Sequence, residues 1–243
     1  MVEVYGLSKI FKNIRAVDNL SFQVKEGEVY GLLGENGAGK TTTLRMLATM
    51  LKPTSGTAKI NGKDLIKEPE LVRKKIGILF GGESGLYDRL TARENIMYFA
   101  ELQDMTKEEI KARIDLLADK FGMREFIDRP AGKLSKGMKQ KVAIVRSIIH
   151  NPKIMLFDEP TSGLDVSSVR EVHDFIKFCR EEGKAIIFSS HSMAEVEKLC
   201  DKIGIIHKGR LVAEGTIEFL KEKYHTDNLE ELFMELVGEK HES

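Results

Sequence analysis

The 243-residue chain has no tryptophan, five prolines and only two cysteines. Cys179 and Cys200 lack the close spacing of metal ligands, which favours a reduced cytoplasmic compartment. Neither sign of charge dominates, because 38 basic residues balance 38 acidic ones and the formal net charge is zero. A nucleic-acid-binding protein is expected to carry a basic excess, so we expect no nucleic-acid partner.

Long apolar runs are also missing. No stretch approaches the roughly 18 uninterrupted apolar residues that a membrane-spanning helix needs. The first residues, MVEVYGLSKIFKN, lack the apolar segment of a signal peptide. If the protein serves a membrane, we expect it to do so by docking onto a membrane partner.

Four short, uniformly apolar stretches are bounded by glycine, proline or charged residues. Such stretches are typical of strands buried on both faces of a parallel sheet. They lie at 28–34, 75–81, 153–160 and 184–191. Amphipathic helical patterns lie between them, at 41–51 and from Ser135 to the stop at Pro152. The sequence therefore predicts an α/β fold with a parallel sheet.

Other segments break this alternation. The pattern of residues 87–134 is almost wholly helical, whereas the N-terminal third has the alternation and glycine turns of a small antiparallel β layer. The tail NLEELFMELVG reads as an amphipathic helix. We expect a single domain with three parts: an α/β lobe of residues 1–86 and 141–215, a helical lobe of residues 87–140, and a helical tail of residues 216–243.

Residues 34–41, GENGAGKT, fit the phosphate-loop pattern G-x-x-x-x-G-K-[ST] between a predicted strand and a predicted helix. Glycines let backbone N–H groups wrap a pyrophosphate, Lys40 can reach the β- and γ-phosphates, and the Thr41 hydroxyl can bind Mg²⁺. A chance glycine-rich loop is the alternative. The candidate nucleotide-binding residues here are Gly34, Asn36, Gly37, Ala38, Gly39, Lys40, Thr41 and Thr42.

Two adjacent carboxylates end the apolar strand IMLFDEP. Ligands of open α/β sheets bind at the carboxyl ends of the strands. Asp158 suits the Mg²⁺ shell, and Glu159 suits activation of an attacking water. An Asp-Glu pair is by itself more often a solvated strand end, but the phosphate loop favours the catalytic interpretation.

His191 follows the apolar strand AIIFSS, so the same geometry predicts a contact with the γ-phosphate. A lone histidine is usually structural, and we expect that of the five histidines without such a context. These are His150, His173, His207, His225 and His241.

GENGAGKTT, LSKGMKQK, LFDEPTSGLD and SSH, in this order, resemble the nucleotide-binding subunit of an ATP-binding cassette (ABC) transporter. The resemblance runs from about Leu7 to about Gly215 and implies a RecA-like core that hydrolyses ATP with Mg²⁺. It also implies that Ser135 and Gly137 bind the γ-phosphate of a nucleotide held by the other subunit of a head-to-tail dimer. A plain N-cap serine on a surface helix is the alternative for Ser135.

Two further roles follow from the resemblance. Asp165 of SGLD resembles the residue that couples the two sites across the dimer interface. Phe11 occupies the place of an aromatic residue that stacks on adenine, although a phenylalanine buried in the small sheet is nearly as good an interpretation.

The sequence departs from the family where Lys136 and Met138 replace the common glycine and glutamine. A larger departure is ILFGGESGLY, which lacks the glutamine that usually meets Mg²⁺ and water and senses the membrane partner. Its place falls on Gly81 or Gly82, depending on the direction of counting. Either Glu83 replaces it or the loop is rebuilt and senses the partner through backbone contacts.

The double glycine and the tail resemble the exporter branch that contains sodium-efflux and daunorubicin-type ATPases. We therefore expect an ATPase subunit, a homodimer or heterodimer with another nucleotide-binding subunit, at the inner face of the cell membrane on a separate permease. The alternatives are a soluble cassette ATPase with a non-membrane target and a small-molecule kinase. A kinase would need neither Ser135 and Gly137 nor Glu159.

Overall fold

The computed structural model describes residues 1–81 and 85–238. The strands in these ranges are β1 (Val2–Phe11), β2 (Ile14–Val24), β3 (Val29–Leu33), β4 (Ser55–Ile60), β5 (Lys63–Asp64), β6 (Ile76–Phe80), β7 (Ile154–Asp158), β8 (Ala185–Ser190), β9 (Lys202–His207) and β10 (Arg210–Gly215). The helices are α1 (Lys40–Leu47), α2 (Pro69–Arg73), α3 (Ala92–Glu101), α4 (Lys107–Lys120), α5 (Lys136–Ile148), α6 (Val166–Glu181), α7 (Met193–Leu199), α8 (Ile217–Lys223) and α9 (Leu229–Val237).

The larger sheet has the strand order β10-β9-β3-β8-β7-β6. All neighbouring strands are parallel except the pair β9 and β10. Every residue of β3, β7 and β8 is buried, as the uniformly apolar stretches predict. The prediction of an α/β fold is confirmed, and β9 and β10 extend the sheet beyond the four strands that the sequence indicates.

The smaller sheet is antiparallel, with the order β2-β1-β4-β5, as the N-terminal alternation predicts. Its inward side chains meet those of the larger sheet in an apolar core that includes Leu7, Phe22 and Ile187. Tyr30 of β3 stacks on Phe22 of β2 with ring centroids 4.8 Å apart. This packing holds the small sheet over the start of the phosphate loop.

The region after residue 87 is helical, as predicted, and consists of α3, α4 and a 3₁₀ turn before α5. Thr91 and Thr106 begin α3 and α4 with capping boxes, which satisfy the first amides of each helix. The tail helix α9 buries Leu232 and Phe233 against the same core as α7 and α8. The division into three parts stays a prediction.

Strand register places the predicted motifs side by side. In the order β3-β8-β7-β6, Leu33 pairs with Ser190, Ser189 with Asp158, and Asp158 with Phe80. The carboxyl ends of these strands therefore meet at one edge of the sheet. No helix in the described part of the chain is long and apolar enough to cross a membrane.

Candidate active site

The phosphate loop wraps the ammonium group of Lys40. Its Nζ donates to the carbonyl oxygens of Gly34 and Glu35 at 2.7 and 3.1 Å, and the side chain is only 4% exposed. Gly39 adopts φ 110°, and a Cβ atom there would lie 2.5 Å from the carbonyl oxygen of Ala16. The loop therefore requires glycine at this position, and it encloses a buried cation that could bind a phosphate.

Thr41, Asp158 and Ser189 form a chain of hydrogen bonds across three elements. The hydroxyl groups of Thr41 and Ser189 donate to Oδ1 of Asp158 at 3.0 and 2.7 Å. Asp158 is only 8% exposed, so its interpretation as a solvated strand end is wrong. The carboxylate is held in one orientation, facing the start of α1.

Glu159 lies between Lys40 and His191. Its Oε1 is 3.3 Å from the Lys40 Nζ, and its Oε2 is 3.5 Å from Nδ1 of His191. Its backbone has φ 45°, a left-handed conformation that non-glycine residues adopt at a cost and that is concentrated at functional sites. The Glu159 amide donates to the Ser189 hydroxyl and carbonyl oxygens at 3.0 and 3.1 Å, which holds this conformation.

We call Lys40, Thr41, Asp158, Glu159 and His191 the strand-end site. Its hydroxyl and carboxylate oxygens fit Mg²⁺, which usually takes one or two protein oxygens together with waters and substrate phosphates. Thr41 and Asp158 are the residues that would hold the ion, since their oxygens lie 3.0 Å apart.

The other predicted residues form a second group. Ser135 begins α5 as its N-cap and accepts a hydrogen bond from the Met138 amide at 3.3 Å. Its contact with a γ-phosphate stays a prediction. The Lys136 ammonium donates to the Gly163 carbonyl oxygen. Ser135 and Gly163 are exposed. The start of α5 therefore lies beside the loop that precedes α6, on the surface of the protein.

Asp165 begins α6 as its N-cap. The Ser168 amide and hydroxyl donate to its carboxylate at 3.0 and 2.9 Å, and these bonds lower the pKa of Asp165. At Gly137 a Cβ atom would meet only the Ser168 hydroxyl, at an ordinary 3.5 Å, so packing within the chain does not require glycine there. We call Ser135, Lys136, Gly137, Gly163 and Asp165 the helix-start surface.

Phe11 ends β1 at a hairpin and is 43% exposed, so the interpretation as a buried phenylalanine is wrong. The Lys9 ammonium lies 5.1 Å from its ring centroid. The next strand, β2, carries Ala16 against the phosphate loop at Gly39. Phe11 thus presents an open aromatic ring on the strand pair that contacts the loop.

Gly81 is one of the two positions that could correspond to the family's usual glutamine, and the backbone at Gly81 leaves no room for a side chain. Its amide donates to the Asp158 carbonyl oxygen at 2.8 Å, and a Cβ atom would lie 1.9 Å from the Glu159 carbonyl oxygen. A glutamine at position 81 is therefore incompatible with this backbone. Gly82 and Glu83 lie outside the described residues, so the hypothesis that Glu83 replaces the glutamine stays untested.

Ser189 is a site residue that the sequence analysis missed. It is fully buried and links the carboxylate of Asp158 to the amide of Glu159. The sequence does contain a signal for a polar contact at this position, because two serines end the otherwise apolar run AIIFSS. Buried hydroxyl groups need hydrogen-bond partners, and the nearest polar strand end is that of β7.

Comparison with known proteins gives the family. A family described as "ABC transporter" matches residues 17–162. The chain is 50% identical over 223 residues to ABC transporter ATP-binding protein NatA of Bacillus subtilis, covering 92% of this chain and 91% of NatA. It is 39% identical over 220 residues to the daunorubicin/doxorubicin resistance ATP-binding protein DrrA of Streptomyces peucetius, covering 90% of this chain and 66% of DrrA.

A solved structure gives the same result. A chain described as the ATP-binding subunit of an ABC transporter superposes with a TM-score of 0.88 at 31% identity, covering 97% of this chain and 99% of that one. The phosphate loop, the adjacent carboxylates of Asp158 and Glu159 and this similarity agree. The chain belongs to the ABC transporter family, as an ATP-binding subunit with ATPase activity.

Proposed function

We propose that this ATPase drives export of a substrate through a separate membrane permease, and that ATP binding pairs two nucleotide-binding subunits head to tail. The strand-end site of one subunit then faces the helix-start surface of the other. The pairing subunit is a second copy or a related chain. The complex lies at the inner face of the cell membrane.

The observation that carries the proposal is the separation of the predicted residues into two groups with opposite environments. The strand-end site holds Lys40 and the carboxylate of Asp158 inside the chain, through hydrogen bonds among the phosphate loop, α1, β7 and β8. The hydroxyl of Ser135 has a local capping bond, and the residue is exposed at a helix N-terminus. The positive end of a helix dipole favours an anion, and a phosphate held by a second subunit supplies one.

Within one site, each residue has a role that its position supports. Lys40 binds the β- and γ-phosphates, and Thr41 and Asp158 would hold Mg²⁺, which would neutralise phosphate charge. Glu159 accepts a proton from the attacking water, because its carboxylate is next to the Mg²⁺ ligand and is held by the fixed backbone at Ser189. His191, 57% exposed beside Glu159, contacts the γ-phosphate.

Three residues extend the site toward the rest of the nucleotide and the partner. Phe11 stacks on the adenine, since its ring is exposed on the strand pair that contacts the phosphate loop. Ser135 and Gly137 bind the γ-phosphate across the interface. Asp165 couples the two sites through the loop that Lys136 joins to α5.

Export through a separate permease is supported by the named relatives. DrrA is named a daunorubicin/doxorubicin resistance protein, and a further structural neighbour, cbiO1 of Clostridium perfringens, is described as part of the transporter complex cbiONQ. This chain is 39% identical to DrrA and 29% identical to cbiO1. We infer that the membrane-spanning pathway and substrate selection belong to a partner chain.

The proposal is tested with Glu159→Gln, which keeps the size of the side chain but removes the general base. We expect this variant to bind ATP, to hydrolyse it about 100- to 10,000-fold more slowly, and to accumulate as a dimer. Light scattering with ATP and Mg²⁺ measures the dimer, and Lys40→Ala, which lacks the phosphate-binding ammonium, is the monomeric control. An ATP-loaded Glu159→Gln chain that stays monomeric would contradict the head-to-tail pairing.

Copurification of the chain with a membrane protein of several apolar spans tests the proposed permease partner.

A further inference from the structure

A network of buried polar side chains joins α6, β8 and α7 behind the strand-end site. Oε1 of Glu195 lies 3.1 Å from Nε2 of His173, and Oε2 of Glu195 accepts a hydrogen bond from the Ser190 hydroxyl at 3.0 Å. His173 and Ser190 are 6% and 3% exposed. Both oxygens of one carboxylate are thus used to connect a helix with the end of a central strand.

The geometry selects one tautomer of His173. Its Nδ1 is buried and has no hydrogen-bond partner. A proton on Nδ1 would leave a buried N–H group unsatisfied, whereas a proton on Nε2 is donated to Glu195. His173 is therefore a directed donor to this carboxylate.

Glu195 also holds the backbone turn that carries His191. The amide of Ser192 donates to the Ser190 hydroxyl oxygen at 2.9 Å, which closes the turn around His191. The same hydroxyl donates to Glu195, so the carboxylate orients the group that closes the turn. The ring of His191 projects from this turn to within 3.5 Å of Glu159.

A cavity of about 290 Å³ lies next to this turn. Its lining includes Glu159, His191 and Glu195, together with Gly163 of the helix-start surface. The network therefore borders the space between the strand-end site and the helix-start surface, and α6, which carries His173, is the helix that begins after Asp165.

We propose that Glu195 and His173 are positioning residues for His191. They hold the turn so that the His191 ring stays beside Glu159, and they tie that turn to α6 and so to the helix-start surface. This inference rests on the proposed role of His191 in the hydrolysis of ATP.

The test compares His173→Leu, which keeps an apolar side chain of similar bulk but has no donor, with His173→Gln, which keeps an N–H donor. Displacement of a catalytic group by about 1 Å can lower the rate on the order of 100-fold, so we expect His173→Leu to lower kcat 10- to 100-fold. The KM for ATP should stay unchanged, and His173→Gln should recover most of the activity. Glu195→Ala should behave like His173→Leu.

Glu197→Gln is the matched control for the loss of charge. Glu197 lies on the same helix but pairs with Lys221 at 2.8 Å near the surface, and we expect kcat to stay at the wild-type value. A kcat of His173→Leu equal to that of wild type, or a His173→Gln variant no better than His173→Leu, would overturn the inference.

A double variant separates this inference from the function on which it rests. In a His191→Ala background, His173→Leu should cause no further loss of single-turnover rate, because both changes act through one group. Additive losses would overturn the inference. A His191→Ala chain with wild-type turnover would instead contradict the proposed role of His191.

Discussion

The strand-end site and the helix-start surface each contain a lysine, an aspartate and a hydroxyl side chain, but in different environments. In the strand-end site, Lys40 and Asp158 are buried. Carbonyl oxygens of the phosphate loop hold Lys40, and hydroxyl groups from distant parts of the chain hold Asp158. On the helix-start surface, Ser135 and Asp165 are exposed, and their side chains accept hydrogen bonds from residues of their own first helical turn. The difference supports the proposed pairing, in which the buried groups of one chain meet the exposed helix start of another.

The energetics of the two regions differ in the same way. A buried charge is tolerated only with partners, so a change in the strand-end site disturbs folding as well as chemistry. An exposed cap contributes only about 1 kcal/mol to helix stability, so a change on the helix-start surface can remove function and leave the fold intact. Substitutions in the strand-end site should therefore lower both stability and turnover, whereas substitutions on the helix-start surface should lower turnover with little loss of stability.

The largest loss of turnover without loss of the fold is expected for Ser135→Arg. The bulky cation blocks the helix start, so turnover should be abolished while the isolated chain binds ATP with nearly unchanged affinity. Fluorescence titration with a nucleotide analogue and a steady-state ATPase assay measure the two quantities. Ser135→Thr, which keeps the capping hydroxyl, is the control and should retain measurable turnover.

Mixing variants tests whether the two regions act between chains. Neither the Ser135→Arg chain nor the Lys40→Ala chain should hydrolyse ATP by itself. In a mixture, about half of the dimers formed at random hold one copy of each and so contain one intact site. ATPase activity should return in the mixture. A mixture as inactive as its parents, with no ATP-dependent dimer, would contradict the assignment of Ser135 to the neighbouring chain's nucleotide.

Gly81→Ala should lower both stability and turnover. Its Cβ would lie 1.9 Å from the carbonyl oxygen of Glu159, so the backbone of this proposed general base must move. Overpacking of this kind costs about 1–3 kcal/mol, and the displacement should lower kcat as well. Urea unfolding and the ATPase assay measure both effects.

Gly62→Ala provides the comparison for Gly81→Ala. Gly62 has φ 78° but open space around the position of a Cβ atom, far along the chain from the catalytic carboxylate. This variant should lose stability through backbone strain and keep its kcat. Equal kcat values for the two glycine variants would show that Gly81 does not position Glu159.

Ser189→Ala should have an intermediate effect. It removes the donor to Asp158 and leaves a buried carboxylate oxygen with one partner fewer, at a cost of about 1–3 kcal/mol. The Mg²⁺ concentration for half-maximal turnover should rise, and a Mg²⁺ titration measures it. In the control Ser147→Ala, a buried hydroxyl that donates to a carbonyl oxygen of its own helix is lost, and the Mg²⁺ requirement should not change.

The smallest effect is expected for Asp165→Asn. The pKa of Asp165 is lowered from 3.8 in the folded chain, so its carboxylate contributes stability above that value and loses it as the pH falls through the folded pKa. Replacing it with asparagine, itself a good cap, should make the loss of stability below about pH 4 shallower. Urea midpoints between pH 3 and 6 measure this, with exposed Asp174→Asn on the same helix as the control. The same pH dependence in both variants would contradict the capping role.

Much of this arrangement could be predicted from the sequence, because it depends on local signals. Uniformly apolar stretches predict β3, β7 and β8, which the structure shows to be buried. The phosphate-loop pattern and the carboxylates at the end of β7 can be recognised from the neighbouring residues alone. Strand ends in a parallel sheet meet at one edge, so the prediction that Asp158, Glu159 and His191 lie near Lys40 follows from the strands alone.

What the sequence could not provide depends on contacts between distant residues. The pairing of Ser189 with Asp158 requires the register of β7 and β8. The carbonyl oxygen of Glu159 is what excludes a side chain at Gly81, and its position is known only from the fold. The exposure of Phe11 likewise depends on where the hairpin lies in the small sheet. His173 has no local signal for its contact with Glu195, which is 22 residues away in the chain.

The central claim is that Ser135 of one chain faces the phosphate loop of its partner, and site-directed cross-linking tests it most directly. Two separately tagged Glu159→Gln chains, one with Ser135→Cys and one with Asn36→Cys, carry one added surface thiol each. The natural thiols give little background, because Cys179 is buried, with a pKa raised to about 12, and burial also raises the pKa of Cys200. A short bifunctional maleimide should join the two tags with ATP and Mg²⁺ and should not do so with ADP. An ATP-dependent dimer in light scattering that yields no cross-link between the tags would contradict the claim.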